Sequence, residues 1–351
     1  MTVKSVKTGN STSLAVGNTS VATPTPPTIG TVTLAALTAS VPFTPSTIGA
    51  VATSYIVTSS PGGVTASGSS SPITVTGLSA ATTYTFTVAG INANGTGTAS
   101  TPSSSKTTGT LVSQIFNSTG TWTAPAGITD IELLVVAGGG SGGNSASAGD
   151  SAGTGGGGGG GVRYFATRTV VPSTVYTATV GGGGSNSAGT ASSFSGSGFT
   201  TVSASGGGRG AGSSAGSTGG SGGGGCSSNV NASFTNGYSG NSGGYTPVEG
   251  YAGSNQVSGA TSGGGGGSGS AGSGTSGGNG TTYFGTKYGA GGAGGFIGGS
   301  VYGSVDTGGG AFTSNASGAG GTNVGGGGGG VGNSLASSPG GSGRVIVRYY
   351  A

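Results

Sequence analysis

Ile131-Glu132-Leu133-Leu134-Val135-Val136 runs directly into Ala137-Gly138-Gly139-Gly140, and the reading of this junction decides the fold of the larger part of the chain. Six residues rich in Val, Ile and Leu read as a buried strand. The segment after it has the composition of a linker: fourteen of the 90 glycines precede residue 137 and 76 follow it. Gly/Ser tracts ordinarily make flexible connections. Yet this region closes on a second strand, Arg344-Val345-Ile346-Val347-Arg348-Tyr349-Tyr350. It also holds a third pair, 162–171 and 175–180, joined by Pro172-Ser173-Thr174. A linker has no reason to end in a strand of buried type. The expectation is a domain whose first and last strands share one small core, with glycine segments looping out and packing on one another.

Collagen is excluded as the packing mode. It needs a strict Gly-X-Y period and abundant proline, whereas only Pro172, Pro247 and Pro339 lie beyond residue 136 and the glycines come in uneven runs. Each glycine loses extra entropy on ordering, so the gain must come from close backbone approach. Glycine in the polyproline II conformation has three residues per turn. Without side chains, such helices can pack side by side and bond peptide to peptide. Packed polyglycine II segments are therefore expected in residues 109–351.

Ahead of this region lie two others. Residues 1–27 read as a leader ending in a stiff spacer, Thr23-Pro24-Thr25-Pro26-Pro27. Residues 28–108 read as an all-β domain in which short β-branched and aromatic runs alternate with Ser/Gly/Pro turns. Examples are Thr31-Val32-Thr33-Leu34, Tyr55-Ile56-Val57-Thr58, Ile73-Thr74-Val75-Thr76 and Tyr84-Thr85-Phe86-Thr87-Val88. In the last run Tyr84, Phe86 and Val88 share one face, the period of a half-buried antiparallel strand. Residues 103–110 read as a polar linker.

Residues 55–63, 71–78 and 83–88 and the ending Asn92-Ala93-Asn94-Gly95-Thr96-Gly97 resemble bacterial and phage fibronectin type III modules. The resemblance implies a sandwich with Leu78 and Tyr84 as corner residues, the tyrosine hydroxyl tying down a strand-joining loop. The family's early tryptophan is absent, and Val41 or Phe43 is expected in that space. Residues 116–128, which contain Trp122, together with the strand ending at Val136 and the closing 343–349, resemble glycine-rich domains of phage tail and fibre proteins. By composition the middle also resembles phage tail-fibre adhesins that use packed polyglycine II helices. These resemblances imply an all-β virion protein on the tail fibre or capsid exterior. Its partners would be other virion proteins and a host surface glycan or outer-membrane protein, and it would form a homo-oligomer of three or more copies. Purely structural decoration, or a role on a bacterial surface or in a matrix, are the alternatives.

Chemistry is poorly supplied. There is no histidine, the commonest general base and metal ligand. Charged residues make up 4% of the chain, and the net charge of +4 is scattered, so no nucleic-acid-binding face is indicated. The expectation is no enzyme, no cofactor and no metal. Cys226 is the single cysteine and reads as a small buried hydrophobe. Met1 to Lys7 lacks the apolar core of a signal peptide, and no run is long enough to span a membrane. An unprocessed start and release by lysis inside a particle are expected. The acids are Asp130, Glu132, Asp150, Glu249 and Asp306. Asp130 and Glu132 share a strand face, as do Arg344 and Arg348, so pairing of the terminal strands predicts cross-strand ion pairs. Aromatics cluster late in the chain at Tyr238, Tyr245, Tyr251, Tyr283, Tyr288 and Tyr302. They are either plugs between glycine layers or an exposed surface suited to sugar rings.

Overall fold

The computed structural model describes residues 22–145, 153–257, 261–296, 305–313, 316–332 and 336–351. The chain forms two compact units, one reaching to Thr110 and including Tyr350–Ala351, the other spanning Leu111–Tyr349.

The first unit is an antiparallel sandwich. Its strands are β1 (Thr28–Ile29), β2 (Thr33–Ala35), β3 (Thr38–Val41), β4 (Phe43–Thr44), β5 (Ser54–Ser60), β6 (Thr65–Gly68), β7 (Ile73–Val75), β8 (Thr83–Asn92), β9 (Gly95–Thr96) and β10 (Lys106–Thr107). One sheet has the order β2-β3-β7, the other β10-β8-β5-β6 with β9 also on β8. Strict alternation builds the core: Tyr55 and Val57 of β5, Ile73 and Val75 of β7, and Tyr84, Phe86 and Val88 of β8 all point inward. Val41 and Phe43 are both buried in that core. Leu78 is buried, and the Tyr84 hydroxyl accepts the Ser79 amide at 3.0 Å.

Two segments expected outside the sandwich belong to it. Pro24 is buried and bridges to Ala50, so the proline-rich stretch packs as an edge instead of standing clear as a spacer. Residues 103–107 are not a free linker. Ser103 and Ser100 carry the ladder beside β8, each donating its amide to a β8 carbonyl while its hydroxyl accepts a β8 amide. Pro102 interrupts the strand here, and the serine hydroxyls replace the acceptors that a regular strand would offer.

The second unit opens with β11 (Leu111–Phe116), β12 (Gly120–Thr123), β13 (Asp130–Val136), β14 (Val162–Thr169), β15 (Val175–Thr179), β16 (Ser192–Gly196) and β17 (Phe199–Ala204). It continues through a single helical turn, α1 (Ser228–Asn231), and two hairpins, β18 (Thr281–Tyr283) with β19 (Thr286–Tyr288) and β20 (Phe312–Thr313) with β21 (Ala316–Ser317). The closing strand is β22 (Arg344–Tyr350). The first and last strands do pair: one sheet runs β11-β22-β13-β14, with Leu134 opposite Ile346. A second sheet, β12-β15-β16-β17, faces it across Ile131, Leu133, Val135, Val345 and Val347. The opposite face of the first sheet is covered as well, through Leu134, Val136 and Ile346. Burial on both faces is why β13 reads as a continuous apolar run rather than an alternating one. Trp122 lies 5.7 Å from Tyr176 and 5.5 Å from Tyr349, ring centre to ring centre, in the core between the sheets. The Tyr176 hydroxyl accepts the Val171 amide at 2.7 Å. This is the same five-residue reach that Tyr84 makes in the first unit.

Beyond the sheets the strands continue as glycine segments. Residues 154–161 form the centre. Thr154, Gly157 and Gly160 donate to Val331, Gly328 and Gly325; Gly155, Gly158 and Gly161 donate to Ala211, Gly208 and Ser205; Gly156 and Gly159 donate to Gly263 and Gly266. Their carbonyls accept from three further segments, around 137–143, 221–224 and 292–295, and all these bonds measure 2.7–3.1 Å. Every third residue thus faces the same neighbour, which is the three-residue turn of a polyglycine II helix. Six neighbours surround it, three accepting and three donating. A methyl group at any position from Gly155 to Gly160 would fall on a neighbour's carbonyl oxygen, and at Gly161 on the Glu249 carboxylate, far inside contact distance. That is the physical reason for seven consecutive glycines.

Candidate functional site

The lattice dictates where side chains can stand. In an outer helix only the columns facing neighbours must be glycine. Gly250 and Gly253 lie in one column and each is blocked by the 220–224 segment. Tyr251 between them is 41% exposed. Gly237 and Gly240 are blocked likewise, and Tyr238 follows Gly237. A Gly-Tyr-X-Gly spacing therefore hangs a tyrosine off an outer helix whose backbone is locked: the Tyr251 amide donates to Gly267 and its carbonyl accepts from Gly222.

Tyr251 reaches a cleft of about 200 Å³. Its floor is β14, the edge of its sheet, contributing Val162 through Phe165, and its walls are Pro247, Val248, Tyr251 and Tyr283. The Tyr164 and Tyr283 rings lie 4.7 Å apart, and burial pushes both hydroxyl pKa values up, with Glu132 adding to the effect at Tyr164. The Arg163 guanidinium sits 3.9 Å from the Tyr245 ring centre and 5.1 Å from that of Phe165, and it donates to the Ser203 carbonyl at 3.1 Å. Arg168 stands over the other side of Phe165 at 5.1 Å. A bulge in the β13–β14 register, between Ile131 and Leu133, is what puts Arg168 on the same face as Phe165.

The six tyrosines singled out in the sequence separate. Tyr251 and Tyr283 both line the cleft, and Tyr245 covers Arg163. Tyr238 packs over Gly216, beside Arg209, whose pKa burial lowers. Tyr288 is 1% exposed and belongs to the core with Leu134 and Ile346, so it is a plug and not a surface contact. Tyr302 lies outside the described residues. Arg163, Tyr164 and Phe165 were not singled out. Their signal was present in β14, whose polar and aromatic residues depart from the apolar run of its partner β13.

The acids have structural roles. Glu132 stands opposite Arg348 and forms an ion pair at 3.2 Å, the cross-strand pairing that the two terminal strands predicted. Arg344 falls opposite Val136 instead and donates to Asn117, while Asp130 accepts from Thr129 and Thr169. Glu249 is fully buried and its carboxylate accepts the Ser205 and Gly243 amides. It fills the place of a peptide acceptor at the end of the central helix, beside Gly161. Asp306 pairs with Lys287. Among the described residues no group of three or more His, Cys, Asp or Glu is placed to hold a metal ion. Cys226 is fully buried, and burial raises its thiol pKa.

Residues 110–350 match the profile of the glycine-rich domain family. The chain belongs to that family. Residues 24–106 match the fibronectin type III domain, which covers the first sandwich together with the buried Pro24 edge. No curated protein matches the chain. The glycine-rich domain is thus the larger unit, and the aromatic cleft is carried on it.

Proposed function

We propose that this chain is a non-enzymatic structural protein of a phage particle, a tail-fibre or surface adhesin. Its leader or fibronectin type III module joins other virion proteins, and the glycine-rich domain contacts a glycan or outer-membrane protein of the host envelope. Assembly as a trimer or larger homo-oligomer belongs to the same reading. The observation that carries it is the cleft: the exposed Tyr251 beside half-buried Tyr164 and Tyr283, held on a backbone lattice, with every described acid engaged in structure. The resemblance of residues 116–136 and 343–349 to phage tail and fibre domains supports the particle. Tyrosine gives large contact area at small entropic cost, and a lattice that holds its Cα atoms rigidly reduces that cost further.

A purely structural decoration protein is favoured by one fact, that Tyr288 and Tyr238 pack on the protein itself. Immunogold electron microscopy of particles, paired with binding of the purified chain to host cells, separates the readings. Label on the tail or capsid exterior plus cell binding is expected. Label without cell binding supports decoration. Absence of label from particles overturns the proposal.

A further inference from the structure

The sheet edges of the glycine-rich unit are finished differently. β14 and β17 are edge strands on one side of the sandwich. Two arginines of β14 span the gap between them: Arg163 donates to the Ser203 carbonyl at 3.1 Å and Arg168 to the Thr200 carbonyl at 3.0 Å. Both guanidiniums lie against the Phe165 ring. Cations on an edge guard it against strand addition. β11 is the opposite edge of the first sheet and has no such guard. Its sequence, Leu111-Val112-Ser113-Gln114-Ile115-Phe116, holds no charge and no proline. Leu111 is 40% exposed and Ile115 48%.

The backbone specifies what fits there. Immediately before β11, Thr110 and Ala351 exchange both of their bonds, at 2.7 and 3.0 Å. In an antiparallel ladder such pairs alternate with pairs that do not bond. Counting on from Thr110, it is Val112, Gln114 and Phe116 that bond β22. The peptide groups of Leu111, Ser113 and Ile115 point away from the sheet, and among the described residues nothing bonds them from the open side. This row is its own complement. Laid antiparallel on a second copy, Ser113 falls opposite the partner's Ser113 and Leu111 opposite the partner's Ile115. Every outward N–H and C=O of the row then has a partner. Leu111 and Ile115 share one strand face, so the exposed apolar side chains cover one another. With no charge on β11, no like charges are brought together.

We infer that β11 joins two copies of this chain in an isologous two-fold contact centred on Ser113, which makes their four-stranded sheets continuous. This goes beyond the particle reading and does not depend on it. In the larger homo-oligomer of that reading, it makes the number of copies even.

The test is sedimentation velocity on the full chain over a range of concentrations. A dimer, or a larger even assembly, is expected. Ser113→Pro removes the central outward N–H, at an edge position where proline is tolerated. Ile115→Lys puts a charge on the edge. Each is expected to halve the assembly at concentrations where the parent stays intact. Emission of the core Trp122 checks that the fold is kept. Oxidative crosslinking reads the register independently. Ser113→Cys is expected to give a disulfide-linked dimer, because the Cα atoms of a bonded antiparallel pair lie about 5.5 Å apart, within disulfide reach. Leu111→Cys is expected to give none, because position 111 faces position 115. The native Cys226 is buried and takes no part. A monomer at every concentration, an odd number of copies, an assembly that survives both edge variants, or crosslinking at 113 no better than at 111 would each overturn the assignment.

Discussion

Two glycine-to-alanine changes, identical in chemistry, are expected to have opposite effects. At Gly158 the added methyl lands on the Ser221 carbonyl oxygen. Relief requires the Ser221 segment to move, which breaks the bond from Gly208 to Ser221 at 2.8 Å and that from Ser221 to Gly159 at 3.1 Å. Gly158 and Ser221 are both buried, so water cannot take over the freed groups. Two lost bonds alone would cost about 1–3 kcal/mol, and orphaned buried groups at about 1–3 kcal/mol each raise this to roughly 4 kcal/mol or more. The opposing gain from a stiffer unfolded chain is only about 0.4–1 kcal/mol. At Gly182 the methyl meets nothing nearer than Thr190 Oγ1 at 4.0 Å, and the backbone has no positive φ. There the unfolded-state term stands alone, and Gly182→Ala is expected to stabilise by about 0.4–1 kcal/mol. Urea unfolding followed by tryptophan emission reads both, because Trp122 is the single tryptophan and lies in the core of the glycine-rich unit. If Gly158→Ala unfolds within about 0.5 kcal/mol of the parent, or Gly182→Ala is as damaging as Gly158→Ala, the lattice reasoning fails.

Three further outcomes follow from the same structure. Ser103→Ala removes the acceptor of the buried Phe86 amide and is expected to destabilise the fibronectin type III unit by about 1–3 kcal/mol, measurable by calorimetry, with no change in the Trp122 transition. Ser262→Ala removes a fully buried hydroxyl that has no hydrogen-bond partner. It should therefore be neutral or stabilising by up to about 1 kcal/mol in the tryptophan-monitored melt, against the usual direction for core changes. Asp306 is subject to burial, which raises its pKa, but the Lys287 ammonium and the Thr307 and Gly280 amides outweigh this and leave it lowered. Its stabilisation is therefore complete above the unfolded carboxylate range near about 4 and is lost as pH falls through the lower folded value. Asp306→Asn should flatten that acid limb in a pH series of melting temperatures.

Much of the fold was legible because strands announce themselves by side chains. The apolar run at Ile131 to Val136 and its partner at Arg344 to Tyr350 bracketed a domain, and Tyr84, Phe86 and Val88 showed their inward face by alternation. The boundaries were less legible. Ser103 reads as linker because its contribution is a hydroxyl standing in for a strand acceptor, and Pro24 reads as spacer because burial of a proline leaves no periodic trace. In the lattice the difficulty is of another kind. A period of three is visible only where one column admits side chains, as at Gly250-Tyr251-Ala252-Gly253 or in Ala290 and Ala293, both buried at the same spacing. Where six neighbours close in, as around Gly155 to Gly161, every column is glycine and the period vanishes from the sequence. The cleft was half legible for the same reason. Tyr251 stood out against glycine, whereas Arg163 and Tyr164 were hidden in an ordinary-looking strand whose edge position only the pairing order reveals.

Amide hydrogen exchange across residues 154–161 tests the central claim most directly. Each of these amides is bonded to a neighbouring segment in the interior of the domain, so their exchange is expected to be as slow as that of β13, governed by opening of the whole unit. Exchange at the rate of a free Gly/Ser chain, with β13 still protected, would contradict the account and return the glycine runs to the status of linkers.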